Sequence, residues 1–129
     1  PSLPLVLAHR ELLVQMLLNL VENAAEALYQ VPQPVITLST AYQSGYRLRV
    51  AGAEGAVALP IVVSVEDNGA GVPADVRDKL FEPFLSSKEQ GRGLGLAVVA
   101  KLAADLGASV ELAEKATPGA KFTLHLPVA

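Results

Sequence analysis

Cysteine is absent from this 129-residue chain, so neither a disulfide framework nor a thiolate metal site can support its fold or chemistry. Aromatic residues are scarce, 5% against 51% hydrophobic residues in all, which predicts a core of Leu, Val, Ile and Ala. Positive charge is not in excess either. Ten Lys and Arg face thirteen Asp and Glu, a formal net charge of -3, which argues against nucleic acid or a membrane surface as a partner. No apolar run is long enough to span a bilayer: Leu12 to Val21 covers about half the required length, and Arg10 and Glu11 precede it. The start lacks a signal peptide's basic residues and cleavage site, and Pro1-Ser2-Leu3-Pro4 reads as the cut edge of something longer. The expectation is one cytoplasmic domain over residues 1–129, able to bury roughly two-thirds of its unfolded surface.

Glycine and proline divide the chain. A short apolar strand, Leu5-Val6-Leu7, leads into a helix predicted from about Arg10 to Tyr29, free of Gly and Pro and rich in Leu, Ala and Glu. Pro32 and Pro34 stop it, and Val35 to Thr40 alternates as a half-buried strand does. The apolar run Ile61 to Val65 predicts a second strand ending at Glu66. Between these strands, residues 42–60 carry Gly45, Gly52 and Gly55 and are read as an insertion or hairpin. Beyond Asp67-Asn68-Gly69-Ala70-Gly71-Val72-Pro73 come a short helix from Ala74 to Leu80 and an irregular stretch to Gln90. A second long helix is predicted from Gly93 to about Leu106, ended by Gly107. Two closing strands follow, Ser109 to Ala113 and Lys121 to Leu126. Helices and strands mixed with hairpin-like connections predict an α/β (α+β) two-layer arrangement, with helices on one face of the sheet.

Three places along this string invite chemistry. On the first helix, Leu13, Met16, Leu17, Leu20, Ala24 and Leu28 form a core stripe at helical spacing, while Gln15, Asn19, Glu22, Asn23 and Glu26 line another face. Asn is a poor helix former, so two of them at i and i+4 cost several tenths of a kcal/mol each. Either this is a solvated polar face, or an Asn carboxamide oxygen serves Mg²⁺, a hard cation that shares oxygen ligands with phosphates. The second place is the turn at Asp67-Asn68-Gly69-Ala70-Gly71. Asn-Gly pairs make tight turns, but a carboxylate at the mouth of a sheet can accept a bond from the exocyclic amine of adenine. The third is Gly91-Arg92-Gly93-Leu94-Gly95-Leu96, opening a helix. Glycines there permit either close packing of helix on sheet or a backbone path whose N–H groups face an anion, and Lys88 and Arg92 favour phosphate.

In order, the Asn helix, the Asp-Asn-Gly-x-Gly turn, Phe81-Glu82-Pro83-Phe84 and Gly-x-Gly-x-Gly resemble the four sequence boxes of the sensor histidine kinase ATP-binding domain. The resemblance spans nearly the whole chain and implies the Bergerat fold shared with gyrase, Hsp90 and MutL ATPases, with a mixed, mainly antiparallel sheet. It implies ATP and Mg²⁺ as ligands, with Asn19, Asn23 and Lys88 catalytic and Asn23 the metal ligand. Asp67 would bind adenine, with Gly69 and Gly71 lining its pocket, and Gly91, Gly93 and Gly95 would form the phosphate end of a lid. Glu26, Asn68, Val72, Phe81, Phe84, Ser86, Ser87, Arg92, Leu94, Leu96 and Thr123 complete the nucleotide contacts that it implies. The short lid and the 42–60 segment look most like the nitrogen-regulation kinases of the NtrB type, for which an NtrC-like response regulator and a PII-type signal protein are expected partners. One departure is Glu26, which stands where kinases of the osmosensor type carry a basic residue, so phosphate neutralisation rests on Mg²⁺, Lys88 and Arg92.

Relatives that hydrolyse ATP place a Glu base four residues before the Mg²⁺ Asn, where this chain has Asn19. Phosphoryl transfer to an imidazole needs mostly positioning and charge neutralisation, so this favours transfer over hydrolysis. Glu22 lies about 100° around the helix from Asn23, a poor place for a base. His9 is followed by Arg10, with Val14 where a phosphoacceptor box has Pro, and it reads as a helix-entry residue. His125 alternates with Phe122, Leu124 and Leu126 and is expected at the surface. The accepting histidine is therefore expected on a dimerisation domain before Pro1. The alternatives are a GHKL-type ATPase, a Ser/Thr kinase of the anti-sigma type, and a nucleotide-responsive module that docks a regulator.

Overall fold

The structure is a computed structural model that describes residues 9–45, 47–49, 56–82, 94–115 and 117–128. Its first element, α1 (Arg10–Ala27), follows the stripe read from the sequence, since Met16, Leu20 and Ala24 are buried and Leu28 caps the same row. Burying each large side chain of that row contributes roughly 2 kcal/mol, more than the two asparagines cost in propensity. The chain then turns through Gln30 (φ 64°) and Gln33 (φ 58°), both in the left-handed region, before entering β1 (Ile36–Tyr42).

Among the described residues four strands make the main sheet: β1, β4 (Ile61–Asp67), β5 (Ser109–Leu112) and β6 (Lys121–Leu126), in the order β1-β4-β6-β5 with every neighbouring pair antiparallel. Two shorter strands, β2 (Arg47–Arg49) and β3 (Ala56–Ala58), pair antiparallel in a separate sheet, and the Gln43 N–H to Pro60 carbonyl bond of 2.7 Å ties the ends of that segment. The second long helix, α2 (Leu94–Asp105), packs beside α1. Met16, Leu20, Ala24, Val99 and Ala103 from the helices meet Ile61, Val65, Phe122, Leu124 and Leu126 from the sheet in one core. Both helices thus cover one face of an antiparallel sheet, the two-layer arrangement expected. Leu5-Val6-Leu7 lies outside the described residues, and none of the described helices is long and apolar enough to cross a membrane.

Four local expectations differ from what folds. The strand at 61 continues one residue further, so Asp67 is its last member rather than the start of the turn. The short helix is a 3-10 turn over Ala74–Lys79 with no buried residue, too little apolar surface to hold an α-helix. β1 is not half-buried: Leu38 and Tyr42 are 61% and 57% exposed, because β1 is an edge strand among the described residues and α1 packs mainly over its neighbour β4. His125 is not a surface residue. It does lie on the face away from the helices, but it is 2% exposed, on an inner strand between Val62 of β4 and Ser109 of β5. Its Nε2 stands 2.8 Å from Glu111 Oε1. Alternation separates the two faces of a strand but does not tell which are wet, and Val62, Ser64 and Thr123 are also buried on this second face.

Candidate functional site

The end of β4 is held by an unusual set of bonds. Asp67 is 3% exposed and faces the helix side of the sheet, in phase with Ile61, Val63 and Val65. Its Oδ1 accepts the Gly69 N–H at 2.9 Å and the Ala120 N–H at 3.3 Å. Among the described residues no bond is made to Oδ2. A carboxylate gripped by one oxygen, with the other presented, is an acceptor aimed in a fixed direction. The turn that follows presses against the end of α1: a side chain at Gly69 would put its Cβ 2.7 Å from the Ala27 carbonyl oxygen, so only glycine fits. Gly71 approaches Gly119 of the β5–β6 loop in the same way, with 3.0 Å to its carbonyl oxygen.

The neighbours of Asp67 were not all legible. Asn68 uses both ends of its amide on the loop after α1, accepting the Val35 N–H at 2.8 Å and donating to the Gln33 carbonyl at 3.1 Å. That explains how Gln33 is kept in a left-handed conformation. Lys115 and Gly119 carry no motif in the sequence, yet Lys115 Nζ donates to the Asp67 carbonyl at 2.9 Å and to the Pro118 carbonyl at 2.8 Å, and pairs with Glu66 at 3.1 Å.

One turn-spacing on α1 brings up the asparagines. Asn19 accepts from Gln15 Nε2 at 2.9 Å and donates to the Gly95 carbonyl at 3.4 Å, joining α1 to the first turn of α2. Asn23 is half-buried one turn on, between Asn19 and the Ala27 end that meets Gly69, and no hydrogen bond to its carboxamide is made among the described residues. Glu26 is half-buried on the same helix. At Gly95 an added Cβ would meet nothing within 4 Å among the described residues, so close packing against them is not what glycine serves there. Val72, Leu80, Phe81 and Leu96 pack on the core, with the Phe81 ring edge-on to Phe122 at 6.1 Å between centroids. Leu94 begins α2.

Asn19, Asn23, Asp67, Gly69, Gly71 and Gly95 are thus linked through α1 and the ends of β4 and α2. Thr123 is not brought to them: its hydroxyl is 3.3 Å from Ser64 on the face of the sheet away from the helices, where strand alternation directs it. Phe84, Ser86, Ser87, Lys88, Gly91, Arg92 and Gly93 lie outside the described residues.

The residues present fit a magnesium ion that arrives with its phosphates. Mg²⁺ keeps few protein ligands and favours hard oxygen, and the Asn23 carboxamide, without a hydrogen bond among the described residues, would supply one. No group of three His, Cys, Asp or Glu placed to hold a metal by themselves occurs among the described residues.

The chain matches the family described as "Histidine kinase-, DNA gyrase B-, and HSP90-like ATPase" over residues 8–129. It is 53% identical over 111 residues to the sensory histidine kinase/phosphatase NtrB of Rhizobium leguminosarum bv. phaseoli, covering 86% of this chain and 29% of that protein. It is 42% identical over 129 residues to NtrB of Rhodobacter capsulatus, covering all of this chain and 35% of that protein. The chain therefore spans about a third of the length of these curated relatives. Among solved structures, full-length ShkA in complex with AMPPNP superposes with a TM-score of 0.71 at 32% identity, over 98% of this chain and 24% of that one. The nucleotide-free catalytic domain of histidine kinase ThkA superposes with a TM-score of 0.70 at 29% identity, over 94% of this chain and 69% of that one.

Proposed function

Because this chain belongs to the histidine kinase-, DNA gyrase B-, and HSP90-like ATPase family, we propose that it binds Mg-ATP and donates the γ-phosphate to a histidine on a dimerisation domain of a two-component sensor kinase. The observation that carries this reading is the Asp67 carboxylate, fixed through Oδ1 by two backbone N–H groups and presenting Oδ2. An acceptor so placed suits the exocyclic amine of adenine. Asn23 would hold the metal, which supplies neutralisation of the charge that develops on the transferring phosphoryl group. Lys88, Arg92, Gly91, Gly93 and Gly95 would hold the phosphates.

Asn19 favours transfer over hydrolysis. Its carboxamide is engaged with Gln15 and the Gly95 carbonyl, and an amide cannot take a proton from water as a carboxylate would. The similarity to NtrB kinases supports a place in nitrogen regulation in the cytoplasm, with an NtrC-like response regulator and a PII-type protein as partners of the whole protein. The reaction is tested by mixing this chain with a separate helical-hairpin domain bearing the phosphoacceptor histidine. Labelled phosphate is expected on that histidine, with negligible steady release of free phosphate by the chain alone. Sustained hydrolysis without transfer would assign it to the ATPases of the family instead.

A further inference from the structure

The last rung between β4 and β6 is opened in a particular way. Continuing the register Glu66↔Lys121 places Asp67 opposite Ala120, and such a pair in an antiparallel ladder exchanges two bonds, N–H to carbonyl in each direction. Only one is made, from the Asp67 N–H to the Ala120 carbonyl at 2.9 Å. The Ala120 N–H goes to the Asp67 side chain, at 3.3 Å from Oδ1, and the Asp67 carbonyl receives the Lys115 ammonium at 2.9 Å. The lysine side chain is 10% exposed, and its three N–H donors match three acceptors: the Asp67 carbonyl, the Pro118 carbonyl and the Glu66 carboxylate. Gly119, at φ 123°, lets the loop come this close, since a Cβ there would overlap the Asp67 carbonyl oxygen.

We infer that Lys115 is a positioning residue for base recognition. By occupying the Asp67 carbonyl it frees the Ala120 N–H to hold the carboxylate, and so sets the direction in which Oδ2 points. Without the ammonium, that carbonyl takes back the Ala120 N–H, the rung closes, and the carboxylate keeps only the Gly69 N–H. The inference rests on the adenine-binding reading of Asp67 and adds to it a specificity determinant 48 residues away in sequence.

The test is calorimetry on this chain with ATP and with purine riboside triphosphate, the same nucleotide without the exocyclic amine. The unaltered chain is expected to prefer ATP. Lys115→Met, which keeps an unbranched apolar stem without the ammonium, is expected to weaken ATP about tenfold and the amine-free nucleotide less than twofold, so that the preference collapses. Equal weakening of both nucleotides would make Lys115 a merely structural residue and overturn the inference, as would an unchanged preference. Glu66→Gln leaves the ammonium in place but loosens it, and is expected to reduce the preference about threefold. If Lys115→Met does not fold, an unchanged preference in Glu66→Gln overturns the inference. An unaltered chain that binds ATP without preferring it overturns the adenine reading of Asp67 and this inference with it. Preference retained in the unaltered chain but unaffected by either variant overturns the inference alone.

Discussion

The described residues at the two ends of the proposed nucleotide site are held to different degrees. At the base end, Asp67 is held by two N–H groups on one carboxylate oxygen and a lysine on its carbonyl, while Asn68 ties the flanking loop with both ends of its amide. At the phosphate end, the described contacts are fewer and longer: Asn19 reaches the Gly95 carbonyl at 3.4 Å, and Asn23 makes no side-chain bond among the described residues. A base is rigid and neutral, and a fixed acceptor recognises it with little ordering cost on binding. A triphosphate with its metal brings its own charge and ligands, so the protein can leave coordination positions for it to complete. On the proposed reading, base specificity is prepared in the fold, and the Asn23 carboxamide is left for the metal to engage.

The largest expected effect breaks the prepared half. Asp67→Asn replaces the presented oxygen by an NH₂ facing the adenine amine, and is expected to lower ATP affinity at least about a hundredfold by calorimetry. Gly119→Ala attacks the same half through the backbone, where a Cβ would overlap the Asp67 carbonyl oxygen at a φ of 123°. It is expected to cost about 3 kcal/mol or more of folding stability in urea titration. Asn23→Ala tests the phosphate end: affinity for Mg-ATP should fall about tenfold, and affinity measured in EDTA should stay within about twofold. A loss of equal size without metal would mean that Asn23 serves the base end or the fold. The smallest effect sharpens the boundary of the prepared half. Asn68→Ala releases the loop at Gln33 and Val35 and should cost about 1 kcal/mol of stability, read as a lowered Tm.

Much of this was legible because it follows local rules. The buried row Met16, Leu20 and Ala24 has the helical period, and the core faces of β4 and β6 alternate. Asp67 stood out as a charge directly after an apolar strand. What was not legible depends on tertiary neighbours. The exposure of Leu38 and Tyr42 follows from β1 being an edge strand among the described residues, which no pattern within β1 encodes. The burial of His125 comes from its place on an inner strand, with Glu111 reaching it from β5. Lys115 escaped notice because two of its three acceptors are main-chain carbonyls, which every residue type supplies.

The strand order also bears on how such a domain is made. β6, which follows all the other described strands in sequence, lies inside the sheet beside β4 and contributes Phe122, Leu124 and Leu126 to the core. Ala120, just before it, supplies one of the two N–H groups on Asp67. A ribosome-bound chain that has emerged only through α2 and β5 therefore lacks an inner strand, and its β4 presents an open edge. On the proposed reading of Asp67, nucleotide cannot assist folding before β6 has emerged, because Ala120 completes the hold on the carboxylate that would meet the base.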